Sequence, residues 1–187
     1  NISFIGGGNM AQALIGGLIA RGLAPTRITV SDPVEGVRDL LAEKGVQVTT
    51  DNAAAVLVAD VVVFAVKPQV LSQVLKPLHG LCDGKLIVSI VAGAEVATIA
   101  NLLGTERVVR VMPNTPALVQ IGAHGLFANE AMNQADRDLA SQILAATGLT
   151  IWVPVESQID AVTAVSGSGP AYFFYMMESM IRAGKNL

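Results

Sequence analysis

Cysteine is nearly absent from this sequence: Cys82 is the only one among 187 residues, so no disulfide can form within the chain. A chain without disulfides fits a reducing compartment, and we expect a cytoplasmic protein in which Cys82 is a small packed side chain. Only two histidines occur, and no group of residues has the spacing of metal ligands. The sequence therefore predicts a protein without a metal site.

Charge is scarce as well, since Asp, Glu, Lys and Arg together make up 14% of the chain and no run of Lys and Arg occurs. With a net charge of −3 and a pI near 5.3, the chain lacks the basic surface that nucleic-acid binding needs. Apolar stretches such as 61–66 fall far short of the roughly 18 residues of a membrane span. Because a strand is predicted to start at Ile2, we expect no signal peptide. We expect no nucleic-acid partner and no membrane association.

Apolar residues, by contrast, make up 52% of the chain, enough for a large core and for some surface that a partner or further chain covers. The last predicted helix, 170–184, is apolar on nearly every side apart from Glu178, Ser179 and Arg182. A helix of that kind is normally buried. We expect it to pack in a homodimer or larger homo-oligomer, or against chain that continues past Leu187, or both.

Strands and helices alternate along most of the sequence, which predicts a Rossmann-type α/β fold with a mainly parallel sheet and helices on both faces. The predicted strands are 2–5, 27–31, 46–48, 60–66, 86–91, 107–112, 123–128 and 149–153. The predicted helices are 9–21, 36–45, 68–79, 96–104 and 134–147. From Gln158 onward the sequence is helical, with a predicted break at the SGSG stretch, and this segment begins an all-helical domain.

The first loop has the pattern G-x-G-x-x-A between a strand and a helix, formed by Gly6, Gly8 and Ala11. Gly6 permits a tight turn, Gly8 lets the backbone approach a pyrophosphate, and a small residue at position 11 allows helix and strand to pack closely. The N-terminus of the helix offers unpaired N–H groups to the phosphates. This context predicts a dinucleotide site rather than a plain turn.

An acidic residue, Asp32, ends the second strand 24 residues after Gly8, close to the distance of about 20 at which such a residue binds the ribose. A carboxylate there accepts hydrogen bonds from the 2′-hydroxyl of NAD and repels the 2′-phosphate of NADP. Alternatively, Asp32 caps the next helix and Ser31 contacts a phosphate. Arg38 is near enough to swing back, so NAD is favoured without excluding NADP.

The carboxyl ends of the later strands supply further candidates, because ligands of open parallel sheets bind there. Residues 65–69 follow the fourth strand, Ala92 and Gly93 follow the fifth, and 111–117 follow the sixth. In the last of these, two prolines flank Asn114 and Thr115 and fix a loop suited to hold a ring or a carboxamide. Lys67 is either part of the site or a surface lysine before a helix.

A second glycine-rich stretch, Ser166 to Gly169, precedes the last helix. Pro170 suits the first turn of that helix and Ser168 suits its N-cap. Two serines and two glycines would then present hydroxyls and free N–H groups in a row, which predicts an anion site for the substrate. A capped helix start is the alternative explanation.

The stretches FIGGGNMAQALIGGL, VKPQ, VSIVAG, RVMPNTPA and IDAVTAVSGSGPAYFF together resemble the pyrroline-5-carboxylate reductase family, in the same order and over essentially the whole chain. The resemblance implies a dinucleotide-binding domain at 1–155 and the beginning of a helical dimerisation and substrate domain at 156–187, which continues beyond the given chain. It also implies reduction of 1-pyrroline-5-carboxylate to L-proline with NADPH or NADH, the last step of proline biosynthesis. Many members have Asn-Arg where this chain has Asp32-Pro33, a departure that bears on NADP preference.

By position, the resemblance places cofactor contacts on two groups of residues. The first is the loop Gly6, Gly7, Gly8, Asn9, Met10 and Ala11; the second is Ser31, Asp32, Asn52, Ala65, Val66, Lys67, Pro68 and Ala92. The substrate candidates are Asn114, Thr115, Ser166, Gly167, Ser168 and Gly169. No nucleophile constellation is present and hydride transfer needs none, so no catalytic residue or proton donor is assigned.

Two alternatives compete with this interpretation. A β-hydroxyacid dehydrogenase shares the first loop, but it uses a helix Lys and an Asn one turn later, whereas Lys185 and Asn186 are adjacent and do not share a helix face. A non-catalytic dinucleotide-binding regulator would not need the loops at 113–116 and 166–169. Both alternatives are less favoured than the reductase.

Overall fold

The computed structural model describes residues 1–185, and an eight-stranded sheet with the order β3-β2-β1-β4-β5-β6-β7-β8 forms its centre. The strands are β1 (Ile2–Ile5), β2 (Ile28–Ser31), β3 (Gln47–Thr49), β4 (Val61–Phe64), β5 (Leu86–Ser89), β6 (Val108–Met112), β7 (Gly122–Ala128) and β8 (Gly148–Trp152). The α-helices are α1 (Asn9–Ala20), α2 (Glu35–Ala42), α3 (Asn52–Leu57), α4 (Leu71–Leu75), α5 (Val96–Leu103), α6 (Gln134–Ala145), α7 (Gln158–Val162) and α8 (Gly169–Lys185).

Every neighbouring pair of strands is parallel except β6 and β7, so the predicted Rossmann-type fold is confirmed. The strand order reverses between β1 and β4, and in open α/β sheets ligands bind at the carboxyl ends beside such a switch point. In register, Ile5 is paired with Ser31 on one side and with Phe64 on the other. The loops that begin at Gly6, Asp32 and Ala65 therefore start at the same edge of the sheet.

Helices cover both faces of the sheet, as the continuous apolar strands predicted. Phe4 contributes to a cluster on one face with Leu14 and Ile15 of α1. Ile5, its neighbour in β1, contributes to the cluster on the opposite face with Phe64 of β4. Because adjacent residues of β1 enter opposite cores, this strand fixes the position of the loop that follows it.

Two segments differ from the sequence-based prediction. α3 was not predicted, yet Asp51 caps it by accepting the N–H groups of Ala53 and Ala54 at 2.9 and 3.1 Å, and a run of alanines follows. The helix predicted over 68–79 is instead a 3₁₀ turn, the five-residue α4 and a second 3₁₀ turn at 76–78. Pro77 explains the ending, since it has no N–H to continue the helix.

The predicted break at residues 166–169 is wrong, because helical structure continues from α7 into α8 through a π-turn at 163–167. The Ser168 N–H donates to the Thr163 carbonyl oxygen, five residues earlier, at 2.9 Å. Ser168 has helical dihedral angles of −91° and −29° and is not an N-cap. The wide turn keeps this N–H paired, so it is not one of the free N–H groups predicted for a helix start.

Helix α8 has no buried residue, and eight of its large apolar side chains are between 45% and 72% exposed. They are Tyr172, Phe173, Phe174, Tyr175, Met176, Met177, Met180 and Ile181. The helix does not find cover within residues 1–185, and its burial against another copy or further chain stays a prediction. None of the helices in this part of the chain is long and apolar enough to span a bilayer. Asn186, used above against the β-hydroxyacid dehydrogenase, lies outside the described residues.

Candidate active site

The loop between β1 and α1 contains three glycines with different surroundings. Gly6 has a φ of +98°, and a Cβ there would lie 2.7 Å from the Ala65 carbonyl oxygen, so the turn requires glycine. At Gly7 a Cβ would lie 2.7 Å from Cγ1 of Val37, which brings α2 close to the loop. At Gly8 a Cβ would meet no atom within 4 Å, so the backbone faces open space. Ala11 is completely buried and lets α1 pack against the sheet.

A cavity of about 640 Å³ lies beside this loop at the carboxyl ends of β1, β2 and β4. It brings together eight of the residues predicted to contact the cofactor: Gly6, Gly8, Ser31, Asp32, Asn52, Ala65, Val66 and Lys67. The other six do not line it: Gly7, Asn9, Met10, Ala11, Pro68 and Ala92. Gly7 and Ala11 are buried beneath the loop, whereas Asn9 and Met10 form the first turn of α1.

One wall of the cavity was missed in the sequence. It consists of residues on or beside α4, namely Val70, Gln73, Val74, Pro77 and Leu78. Their spacings of three and four residues place them on one side of this helical segment. This spacing of three and four residues after the fourth strand could have predicted the wall from the sequence. The wall is mainly apolar and suits a flat ring such as a nucleobase.

Asp32 joins the first loop to the turn after β2. Its Oδ2 accepts the Gly7 N–H at 2.7 Å and its Oδ1 accepts the Val34 N–H at 2.8 Å, in a position that is 8% exposed. The alternative that Asp32 caps α2 is wrong, because the N-cap position is occupied by Val34. Each carboxylate oxygen keeps a second lone pair, so a ribose hydroxyl can still donate to it.

Polar neighbours surround this turn. The Ser31 hydroxyl donates to Oδ1 of Asn52 at 2.7 Å, which orients the amide at the start of α3. Arg38 does swing back, since its Nη1 donates to the Asp32 backbone carbonyl at 2.8 Å. The Asp32 carboxylate thus lines this end of the cavity, while the Arg38 guanidinium binds the same turn without lining the cavity. The two charges act in opposite directions on a 2′-phosphate.

The two stretches predicted to hold the substrate meet in space. Nδ2 of Asn114 donates to Oγ of Ser166 at 3.1 Å, and Oδ1 of Asn114 accepts the Ala123 N–H at 2.9 Å. Gly167 lies against Met112, because a Cβ at position 167 would be 2.7 Å from the Met112 Cε. Thr115 begins the 3₁₀ turn 115–119, and Gly169 begins α8. Because the Ser168 N–H is paired with the Thr163 carbonyl oxygen, it is not a free donor for an anion, and the expected anion site stays a prediction that rests mainly on the serine hydroxyls.

Cys82 and His124 are buried titratable side chains that lie outside the cavity. Burial raises the pKa of Cys82 to about 11, so the thiol stays protonated, and its prediction as a packed side chain is confirmed. Burial lowers the pKa of His124 to about 4, and its Nε2 lies 3.0 Å from the Thr147 hydroxyl. His124 is neutral at physiological pH and does not line the cavity.

The cavity has the features that a dinucleotide needs. A side chain at Gly8 would enter open space beside the start of the twelve-residue helix α1. A pyrophosphate could bind there without displacing any protein atom. A carboxylate lies at one end and an apolar wall at another. The residues present therefore fit NADH or NADPH.

Comparisons with known proteins agree with this geometry. Residues 1–93 match the family described as NADP oxidoreductase, coenzyme F420-dependent, and residues 156–187 match pyrroline-5-carboxylate reductase dimerisation. The pyrroline-5-carboxylate reductase of Pseudomonas aeruginosa is 51% identical, over 100% of this chain and 69% of its own length.

Two solved structures are similar over the whole chain. A pyrroline-5-carboxylate reductase from Coxiella burnetii is 45% identical with a TM-score of 0.91, covering 100% of this chain and 71% of the other. The Plasmodium falciparum pyrroline carboxylate reductase, solved with NADP bound, is 29% identical with a TM-score of 0.89, covering 100% and 69%. On this likeness in sequence and structure, the chain belongs to the pyrroline-5-carboxylate reductase family.

Proposed function

We propose that the protein reduces 1-pyrroline-5-carboxylate to L-proline by hydride transfer from NADPH or NADH, the last step of proline biosynthesis. The observation that carries the proposal is the contact between Asn114 and Ser166. It joins the stretch 166–169 to the loop after β6, at the carboxyl edge of the sheet where the glycine-rich loop also begins. Family membership favours the reductase over the β-hydroxyacid dehydrogenase and the non-catalytic regulator, and the experiment below tests both alternatives.

The chain's own groups would hold the cofactor along the cavity. N–H groups of Gly8 to Ala11 and the positive end of α1 would bind the pyrophosphate, and Asp32 would accept the ribose hydroxyls. Val70, Val74 and Pro77 would pack against the adenine. The remaining proposed cofactor contacts are Ser31, Asn52, Ala65, Val66, Lys67 and Pro68, with Ala92 in the loop after β5. When bound, the cofactor supplies the hydride.

The substrate has an imine and one carboxylate. Reduction adds a hydride to the imine carbon and a proton to its nitrogen. The hydroxyl groups of Ser166 and Ser168 would donate hydrogen bonds to the carboxylate. Asn114 and Thr115 would shape the loop beside the ring. Gly167 and Gly169 are the other proposed substrate residues of the stretch 166–169.

Cofactor preference is the finer part of the proposal. The carboxylate of Asp32 lies 2.7 Å from the loop N–H of Gly7, where it would repel a 2′-phosphate. The partial compensation is Arg38, which reaches the same turn. We therefore expect a higher kcat/KM with NADH than with NADPH, and measurable activity with both.

The oligomer and the domain division belong to the same proposal. The exposed apolar side chains of α8 would pack against a second copy in a homodimer or larger assembly, because such a surface resembles a core cut in half. Residues 1–155 form the dinucleotide-binding domain and 156–187 begin the helical domain. With Cys82 as the only cysteine, the cytoplasm is the proposed compartment.

The direct experiment follows loss of reduced nicotinamide absorbance when the purified protein receives pyrroline-5-carboxylate. Reduction of NAD(P)⁺ with 3-hydroxy acids serves as the comparison reaction. Turnover on the imine and not on the hydroxy acids is expected. Tight cofactor binding without turnover on the imine would overturn the proposed function.

A further inference from the structure

Arg110 is a charged residue in the middle of β6, and its side chain is only 6% exposed. Nη1 lies 3.2 Å from Oε1 of Glu156, and Nη2 lies 3.2 Å from Oδ1 of Asp160. A buried guanidinium without a partner is strongly destabilising, so the chain favours arrangements in which both carboxylates reach it. Both carboxylates belong to the segment that leads into the helical domain.

Glu156 also binds a third element. Its Oε1 accepts the Val96 N–H at the beginning of α5, at 2.8 Å. A carboxylate at this end of a helix interacts favourably with the helix dipole. The segment 90–95, which contains Ala92 and connects β5 to α5, is therefore fixed by the same side chain that pairs with Arg110.

Arg110 begins a row of three residues spaced by two along β6 and its continuation. Arg110 binds Glu156 and Asp160, Met112 contacts Gly167, and Asn114 binds Ser166. Alternate residues of a strand lie on one face, which explains why all three reach the same segment. The row combines an ion pair, an apolar contact and an amide hydrogen bond. Only the ion pair involves a buried charge, the guanidinium of Arg110.

We infer that Arg110 is a positioning residue for imine reduction. Through Glu156 and Asp160 it sets where the segment 156–169 lies along the sheet edge, and hence where the Ser166 hydroxyl lies relative to the loop that carries Ala92. This inference rests on the proposed function, because the hydroxyl matters only if it contacts the imine substrate. The cofactor cavity around Gly8 and Asp32 is lined by other elements, and of the proposed cofactor contacts only Ala92 lies in the loop that Glu156 fixes.

The test compares Arg110→Met with the matched control Arg107→Met. Arg107 lies just before β6 and forms a bidentate pair with Asp136 of α6, at 2.6 and 2.9 Å, so its loss removes an ion pair without touching the segment 156–169. Arg110→Met should lower kcat/KM for pyrroline-5-carboxylate by about 100-fold, mainly in kcat, since misplacement by about 1 Å has that effect. The Kd for reduced cofactor should change less than about twofold, and Arg107→Met should leave both values close to wild type.

Two milder variants keep the inference testable if Arg110→Met does not fold. Asp160→Asn removes one arm at a side chain that is 76% exposed, and Glu156→Gln keeps an oxygen for the Val96 N–H. Each should reduce kcat. Arg110→Lys should be more active than Arg110→Met but less active than wild type, because an ammonium group lacks the planar fork of the guanidinium. Combining Asp160→Asn with Arg110→Met should add almost nothing to the loss from Arg110→Met alone.

Amide hydrogen exchange gives a readout that does not need activity. Arg110→Met should increase exchange in residues 158–168 and leave β4 and β5 protected. If the wild-type protein does not reduce the imine, the proposed function is wrong. Amide hydrogen exchange would still show whether the ion pairs of Arg110 hold the segment 156–169 in place. Equal losses of substrate and cofactor affinity, or kinetics like those of Arg107→Met, would overturn the inference.

Discussion

The glycine-rich stretches at 6–11 and 166–169 look alike in sequence and differ in structure. Both combine glycines with the start of a helical pattern, and both were interpreted as anion sites. At Gly8 a side chain would enter open space, and α1 begins directly after it. At Gly167 a side chain would meet Met112, and the Ser168 N–H is already paired within a continuous helix. One glycine leaves room for a ligand, whereas the other permits packing within the protein.

The largest expected effect comes from Gly8→Val. Gly8 has φ and ψ of −65° and 179°, which valine adopts, so the fold should be retained while the side chain occupies the phosphate space. We expect loss of detectable binding of NADH and NADPH by fluorescence titration, with an unchanged circular dichroism spectrum.

The matched control is Gly16→Val on the same helix, where a Cβ also meets nothing within 4 Å. It should bind both cofactors like wild type. Normal titration of Gly8→Val would remove this loop from the site.

The next effect is expected at Gly167 and should fall on the substrate alone. Gly167→Val places a branched side chain against the Met112 Cε and should push the segment 163–169 away from Asn114. We expect kcat/KM for pyrroline-5-carboxylate to fall about tenfold, consistent with overpacking of about 1–3 kcal/mol, and cofactor Kd to stay unchanged.

Gly167→Ala should be milder, because the end of the flexible Met112 side chain can move. Shortening Met112 to Ala should restore part of the activity of Gly167→Val. A loss of cofactor affinity in Gly167→Val equal to that of Gly8→Val would mean that the two stretches form one site.

A smaller, selective effect is expected at Asp32. Asp32→Asn removes the negative charge and keeps an oxygen for either the Gly7 or the Val34 N–H. The ratio of kcat/KM with NADPH to that with NADH should rise several-fold, whereas Asp32→Ala should weaken both because the loop loses its anchor. An unchanged ratio in Asp32→Asn would leave Asp32 as an anchor of the loop only.

The sequence predicted the parts of the fold that depend on local pattern. The strands around Phe4 and Val63, the turn at Gly6 and the small residue at position 11 were all available from apolar runs and glycine spacing. The helix α3 was missed although Asp51 and the alanines after it are a recognisable start. The apolar wall from α4 was missed because a short helix between prolines gives a weak periodic signal.

The error at residues 166–169 had a different cause. Glycine and serine are poor helix formers, so local propensity favoured a break there. Tertiary contacts reverse that preference, because Met112 packs on Gly167 and Asn114 binds Ser166. The local π-turn keeps the Ser168 N–H paired with the Thr163 carbonyl oxygen. Met112 and Asn114 lie more than fifty residues before the stretch, so no local pattern predicts their contacts.

The smallest effect separates a true cap from an apparent one. Asp51 accepts two N–H groups at the start of α3, and Asp51→Ala should lower the free energy of unfolding by about 1 kcal/mol. Ser168 lies inside continuous helical structure, so Ser168→Ala should change the free energy of unfolding by less than about 0.5 kcal/mol. Urea unfolding of both variants without cofactor measures the difference, and each should keep the wild-type m-value. If Ser168→Ala costs as much as Asp51→Ala, Ser168 does cap a separate helix start in solution, and the two glycine-rich stretches would be alike after all.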